Sequence, residues 1–293
     1  MLETRSERIT GIGIYVLLGV VTLIVLYPLF FVLIASVSHP GSVIRGEVWL
    51  WPKGFSLVGY ERLFGNKELL RGFMNTVMYT VAGTALNVVM TVAGAYPLSR
   101  TDFKGRHFFT FLIVFTMFFG GGMIPTYLLI KNLGLLNTFW AMIIPSAVSV
   151  WNILIMRTFF QSSIPKEVQE AAFMDGCSNI KILLKVVLPL SGPVLAVMVL
   201  FYAVGHWNAY FSALLYLSDR DLYPMQLFLR EILVQNQMQE MVDISDDTLA
   251  RSLMDAEAIK YAAVIVTNLP MLILYPFLQK YFVKGVMVGA IKG

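Results

Sequence analysis

The stretch IGIYVLLGVVTLIVLYPLFFVLIASV, residues 12–37, holds no charged side chain. A helix rises 1.5 Å per residue, so about 20 apolar residues cross a hydrocarbon core about 30 Å thick. The stretch is long enough to span a membrane. It is too long for a typical signal-peptide core, its leader balances Glu3 and Glu7 against Arg5 and Arg8, and no clean small-residue cleavage site follows it. An uncleaved first span is the expectation.

Five more stretches meet the same criterion: roughly Phe73–Leu98, Phe108–Ile130, Phe139–Phe160, Leu190–Leu217 and Ile259–Phe282. The whole composition agrees with them. Hydrophobic residues make up 57% of the 293 and charged ones 14%, against about 45–50% and about 25% in ordinary soluble domains. So few charges do not cover a soluble core of this size. The expected class is an all-α polytopic membrane protein with six transmembrane helices, a single transmembrane domain over residues 1–293. Disorder is excluded, and a soluble enzyme or nucleic-acid binder is disfavoured. The net charge is +4, but the 22 Lys and Arg are scattered, as expected for membrane anchoring rather than nucleic-acid binding.

Charge also orients the chain. With the N-terminus in the cytoplasm, the short loop Arg100–His107 places Arg100, Lys104 and Arg106 on the inner side, and the tail adds Lys280, Lys284 and Lys292. Basic residues close to the membrane favour that side, so both termini are expected in the cytoplasm. The two large outer loops are then about 38–72 and 218–257. The first carries Trp49, Trp51 and Pro52, which suit an interfacial turn. The second is acidic, and Met225–Val242 within it has helical spacing at Leu229, Ile232, Leu233, Met238 and Met241. That helix would lie on the membrane, cover an outer vestibule or dock a partner.

The inner loop at about 161–189 contains SSIPKEVQEAAFMDGCSNIKILLKVVLPL, residues 162–190. Pro165 reads as a first helical residue, and Glu167 sits near the positive helix end. Ala171 and Ala172 make a slim surface, Gly176 permits a turn, and Pro189 opens the following span. A short helix, a tight corner and a second amphipathic stretch would protrude into water, where another protein's groove could take them.

This loop resembles the EAA loop of ABC importer permeases: Glu170-Ala171-Ala172, three residues, Gly176, nine residues, Val186, one residue, then Leu188-Pro189. Val186 stands where isoleucine is usual. The position of the loop between the fourth and fifth spans also fits. The tail YFVKGVMVGAIKG and the segment GHWNAYFSALLYLSDRDLYPMQLFLREIL resemble the carbohydrate branch, the maltose-transporter MalG type. The likeness covers essentially the whole chain.

The resemblance implies a bacterial cytoplasmic (inner) membrane permease subunit. A second homologous permease would pair with it, two cytoplasmic ATPase subunits would drive it, and an extracytoplasmic solute-binding protein would deliver a carbohydrate. Glu170, Ala171, Ala172, Gly176, Leu188 and Pro189 would form the ATPase coupling element, with Glu170 facing a basic residue. ATP and Mg would bind the partner ATPase, and this chain would bind no cofactor. The substrate would be an oligosaccharide or polysaccharide, alginate-type polyuronates included.

The residues fit a non-catalytic subunit. There is no GxxxxGK[ST] phosphate loop. His39, His107 and His206 are far apart and lack metal-site spacing. Cys177 is the one cysteine and reads as a packing residue. A membrane-embedded enzyme would need a clustered nucleophile and base. A secondary carrier or channel for small polar solutes, independent of ATP, would need paired ionisable groups inside the membrane. Arg157 and Lys280, the charges assigned to the spans, lie near cytoplasmic ends.

A sugar path needs amides for hydroxyls and flat aromatic surfaces for ring faces. His206, Trp207, Asn208 and Tyr210 supply both on the fifth stretch, with Trp207 and Tyr210 three apart and so on one helical face. Trp151, Asn152 and Asn268 are candidates from neighbouring spans. Helix packing is the competing role for each of them. The run Gly120-Gly121-Gly122 with Pro125 interrupts the third stretch, as a kink near a gate or as a close crossing.

Overall fold

A computed structural model describes residues 5–240 and 247–290. Every regular element among them is helical: α1 (Arg5–Ser36), α2 (Pro40–Ile44), α3 (Val58–Gly65), α4 (Lys67–Ser99), α5 (Arg106–Phe118), α6 (Met123–Asn132), α7 (Val150–Ser163), α8 (Lys166–Met174), α9 (Asn179–Ile182), α10 (Leu188–Leu190), α11 (Gly192–Trp207), α12 (Phe211–Tyr216), α13 (Met225–Glu240) and α14 (Asp247–Ala290). Three segments, Thr10–Ser36, Lys67–Ser99 and Ala256–Pro276, are each long and apolar enough to cross a membrane. Three bent pairs bring the number of spans to six: α5 with α6, Phe139–Ser146 with α7, and Asn179–Leu190 with α11.

Three of the six stretches are bent, the third where the glycine run was expected to interrupt it. The third stretch turns by 110° at the glycine run, where Gly122 adopts φ +85°. The fourth begins as two short 3-10 turns, and its axis changes by 52° before α7. The fifth stretch, expected as one helix over Leu190–Leu217, is two helices. α11 stops at Trp207, where the Asn208 backbone N–H and side-chain Nδ2 both donate to the Val204 carbonyl, at 3.2 and 2.9 Å. The expected outer helix Met225–Val242 is present as α13 up to Glu240; Met241 and Val242 lie outside the described residues, as do Ile291–Gly293 of the tail.

The chain divides into two compact units. One comprises residues 1–69 and 229–269. Here α1 runs into a tight turn. The His39 N–H donates to the Lys53 carbonyl (3.0 Å), and the Ser56 N–H to that of Val37 (3.0 Å). Tyr60 on α3 meets Ser36 at 2.9 Å. Phe31 lies edge-on to Tyr261, with centroids 6.0 Å apart. Gly59 lets α3 approach α14 closely: a Cβ there would stand 2.3 Å from the Ala258 carbonyl oxygen.

The other unit comprises residues 70–228 and 270–293. Its main core joins α4, α7, the segment after α8, and α11 through Val92, Ala95, Ile153, Met156, Ile182 and Met198. A second cluster gathers Tyr79, Met142, Ile143, Ala213 and Leu227.

A polar seam runs along α4 at near-helical intervals. Asn75 Nδ2 donates to the carbonyls of Asp221 (2.7 Å) and Tyr223 (3.1 Å), and Tyr79 donates to that of Leu222 (2.8 Å). Thr76 accepts from the Met225 N–H (2.8 Å). Thr91 meets the Tyr202 hydroxyl at 2.6 Å. Polar groups in an apolar surrounding are costly unless they find partners, and these find them inside the chain.

Candidate functional site

The loop at about 161–189 is built around α8. Pro165 has φ −58° and ψ 135° and caps the helix, which starts one residue later than the sequence indicated. At the other end the Gly176 N–H donates to the Phe173 carbonyl (3.0 Å) and the Cys177 N–H to that of Ala172 (3.1 Å). This is the paired bonding of a Schellman motif, and it requires a left-handed residue at Gly176, whose φ is +76°. Ala172 and Cys177 both pack against the main core, so a bulkier residue at 172 would lift the helix. Glu170 and Ala171 on the same turn are exposed. Beside them stand Phe173, 62% exposed, and Met174, 85% exposed. A nine-residue helix thus carries an exposed carboxylate and two exposed large apolar side chains.

After Gly176, Ser178 caps α9 by accepting from the Lys181 N–H (3.4 Å). A wide π-type turn follows at Leu183–Val187, ahead of Leu188 and Pro189. Pro189 has no N–H to continue the ladder. The Ser191 hydroxyl donates to the Val187 carbonyl at 2.6 Å, just past this point. The axis then bends by 84° into α11. Leu188 and Pro189 therefore set the corner between the loop and the fifth span.

A cleft of about 600 Å³ lies beside α8, lined by the Ser99–Asp102 turn, Phe160, Gln169 and Glu170 among others. Asp102 there accepts both Nε and Nη2 of Arg100, each at 2.8 Å. This bond holds the Asp102 carboxyl below its usual range and raises Arg100. A depressed carboxylate stabilises the fold above its unfolded value and loses that contribution as pH falls through its folded one. The pair is therefore intact at neutral pH and opens only in acid.

The expected path residues separate into two groups. His206, Trp207 and Asn152 are turned into the chain. His206 Nε2 lies 3.3 Å from Asn87 Oδ1, and Asn87 Nδ2 donates to the Ser146 carbonyl at 2.7 Å. Trp207 lies edge-on to Phe73, with centroids 5.8 Å apart. Asn152 takes part through its backbone N–H in the Ser149 cap of α7, at 3.4 Å. Trp151, Asn208, Tyr210 and Asn268 are exposed. Asn268 Nδ2 donates to the Val264 carbonyl at 2.7 Å. The shared face expected of Trp207 and Tyr210 does not form, because α11 ends between them: Trp207 is buried and Tyr210 exposed.

The Asn87–His206 contact yields a direct expectation. Asn87→Leu leaves the Ser146 carbonyl and the imidazole without this partner, at a cost of about 1 kcal/mol. Thermal inactivation of the detergent-solubilised protein should move to lower temperature. An unchanged midpoint would mean that water replaces the amide freely.

Two features escape the sequence reading. Lys260, one residue inside the sixth stretch, is a further charge there. It pairs with Glu257 at 2.6 Å and lies 4.8 Å from the Tyr261 ring centroid. The Arg100–Asp102 pair is the other.

The family model for the binding-protein-dependent transport system inner membrane component matches residues 7–288. The chain belongs to that family. This permease is 38% identical over 293 residues to Protein LplC of Bacillus subtilis (strain 168), covering 100% of this chain and 98% of that one. It is 40% identical to the polygalacturonan/rhamnogalacturonan transport system permease protein YtcP of the same organism, covering 98% of this chain and 100% of that one. A chain in the crystal structure of a bacterial ABC transporter involved in import of the acidic polysaccharide alginate superposes on the permease with a TM-score of 0.87. It is 36% identical, over 96% of this chain and 99% of that one. The six-span fold and a role as a transport component of an ABC importer for sugars follow from these matches.

Proposed function

We propose that this permease subunit forms half of the translocation path of an ATP-driven, binding-protein-dependent carbohydrate importer, and that α8 is its joint with the ATPase. The observation that carries this reading is the helix itself: capped by a Schellman turn, tucked on Ala172, and carrying Glu170, Phe173 and Met174 exposed. Exposed apolar groups on a short polar helix gain free energy when a partner's groove covers them.

The substrate class is an oligosaccharide rich in uronic acids. The relative YtcP is named for polygalacturonan and rhamnogalacturonan, and the structural neighbour for alginate. None of the seven path candidates carries a fixed positive charge, so the carboxylates are met by the second permease or by the solute-binding protein. The path residues of this chain contribute hydrogen bonds and ring faces, and the exposed set Trp151, Asn208, Tyr210 and Asn268 is available for that. ATP and Mg are held by two cytoplasmic ATPase subunits, so the chain itself is not an enzyme. Both termini lie with α8 on the cytoplasmic side of the inner membrane.

Gentle solubilisation from the native membrane followed by mass spectrometry of the intact complex tests the assembly. The expected composition is this chain, one homologous permease and two ATPase subunits. A homomeric particle with no ATPase would overturn the reading.

A further inference from the structure

The cytoplasmic end of α4 is gripped by two side chains of α7. Arg157 Nε of α7 donates to the Leu98 carbonyl at 3.0 Å, and Gln161 Nε2 of α7 to that of Ser99 at 3.4 Å. The next residue, Arg100, reaches the other way, toward α8. Its Nε and Nη2 edge is occupied by both oxygens of Asp102. The guanidinium is planar, so this bidentate contact fixes its orientation and leaves Nη1 aimed at one place. Nη1 donates to Gln169 Oε1 at 3.3 Å, with the Tyr96 hydroxyl at 3.5 Å. The cation also lies 6.0 Å from the Tyr96 ring centroid. The Arg100 side chain is 15% exposed, whereas that of Asp102 is 62% exposed.

The surroundings give this contact its meaning. Between α8 and the Ser99–Asp102 turn lies the cleft of about 600 Å³. On this side α8 is not packed flush against the end of α4. A polar bridge from Arg100 to Gln169 crosses the gap. Gln169 immediately precedes Glu170, so the bridge meets α8 beside that exposed carboxylate, which lines the same cleft.

We propose that Arg100 is a positioning residue of the transport cycle: oriented by Asp102, it struts α8 against the cytoplasmic end of α4 through Gln169, so that displacement of α8 is delivered to the second span. The proposal rests on the role of α8 given above. A strut of this kind is not needed to bind the ATPase. It is needed to turn ATPase closure into movement of the span. Its loss therefore uncouples rather than disassembles.

The test uses the complete importer reconstituted in proteoliposomes. The readout is the ratio of ATPase rate with the solute-binding protein and a stimulating oligosaccharide to the rate without them, measured beside subunit stoichiometry. Oligogalacturonate and oligoalginate are the first probes, with neutral oligosaccharides as the comparison. Arg100→Ala should lower the ratio about fivefold while the ATPase still co-purifies. Arg100→Lys, which cannot hold Asp102 side-on and reach Gln169 together, should rescue only in part. Gln169→Glu keeps an acceptor and should retain the ratio. Gln169→Ala should lower it in the parent and add nothing in the Arg100→Ala background.

A parental ratio in Arg100→Ala, or full additivity of the two alanine variants, overturns the strut. If Arg100→Ala does not assemble, Gln169→Ala alone decides, and a normal ratio there overturns it. A parent complex that no oligosaccharide stimulates fails the functional reading itself, a result distinct from either.

Discussion

Replacing Phe173 and Met174 together by aspartate should release the ATPase from the complex. Both side chains stand largely in water in the isolated chain, at 62% and 85% exposure. Covering each in a partner groove is worth about 1.5–3 kcal/mol. Losing both therefore weakens the joint by roughly 3–6 kcal/mol, on the order of a hundredfold or more in affinity. The fold of the chain should survive, because neither residue belongs to its core; Ala172 and Cys177 hold α8 in place. The measurement is ATPase recovery on affinity-purified permease, with thermal stability as the control. Full recovery of ATPase would show that α8 is not the joint. Gly176→Val is a related but weaker lesion, since it strains the left-handed turn without removing the contact surface.

Among the described glycines, Gly59→Ala should be the most damaging added methyl. The added Cβ would stand 2.3 Å from the Ala258 carbonyl oxygen and 3.2 Å from the Ala262 Cβ. Backbone atoms of α14 cannot rotate away, so α3 and α14 must separate. Overpacking of this kind costs about 1–3 kcal/mol, and the contact here is with main chain rather than a flexible side chain. The expected result is a clear drop in membrane-integrated yield and in thermal inactivation temperature. Gly65→Ala serves as the comparison, because it lies on the same helix α3 but has open space around its Cβ position. Equal yields for Gly59→Ala and the parent would show that the two helices are not this close.

Much of the architecture was legible because the membrane imposes a simple length rule. Six apolar stretches and the spacing of Glu170, Ala171, Ala172 and Gly176 are local patterns, and local patterns survive in a single sequence. The helix breaks were harder. Hydropathy averaged over about 20 residues does not register the Asn208 cap that ends α11 after Trp207. The rotation of a span is also weakly encoded when nearly every face is apolar. Hence His206 and Trp207 appeared as equals of Tyr210, although the fold turns the first two inward and leaves the last exposed. The Gly120–Gly122 run announced an interruption, and the 110° bend is its consequence.

What escaped altogether depends on distant pairs. Arg100 meets Gln169, 69 positions away, and Gly59 meets Ala258. Neither pair has a periodic signature. Lys260 was hidden differently: it sits at the very start of an apolar stretch, where a charge reads as flanking sequence. Its pairing with Glu257 becomes visible only once α14 is built.

The most direct test of the account is uptake by proteoliposomes that hold the purified complex, ATP and Mg inside, and labelled oligogalacturonate with its binding protein outside. Accumulation that needs internal ATP and the binding protein, and that Phe173→Asp with Met174→Asp abolishes, is the predicted result. Uptake by this chain alone, or uptake indifferent to ATP, would contradict the account and favour a secondary carrier or channel.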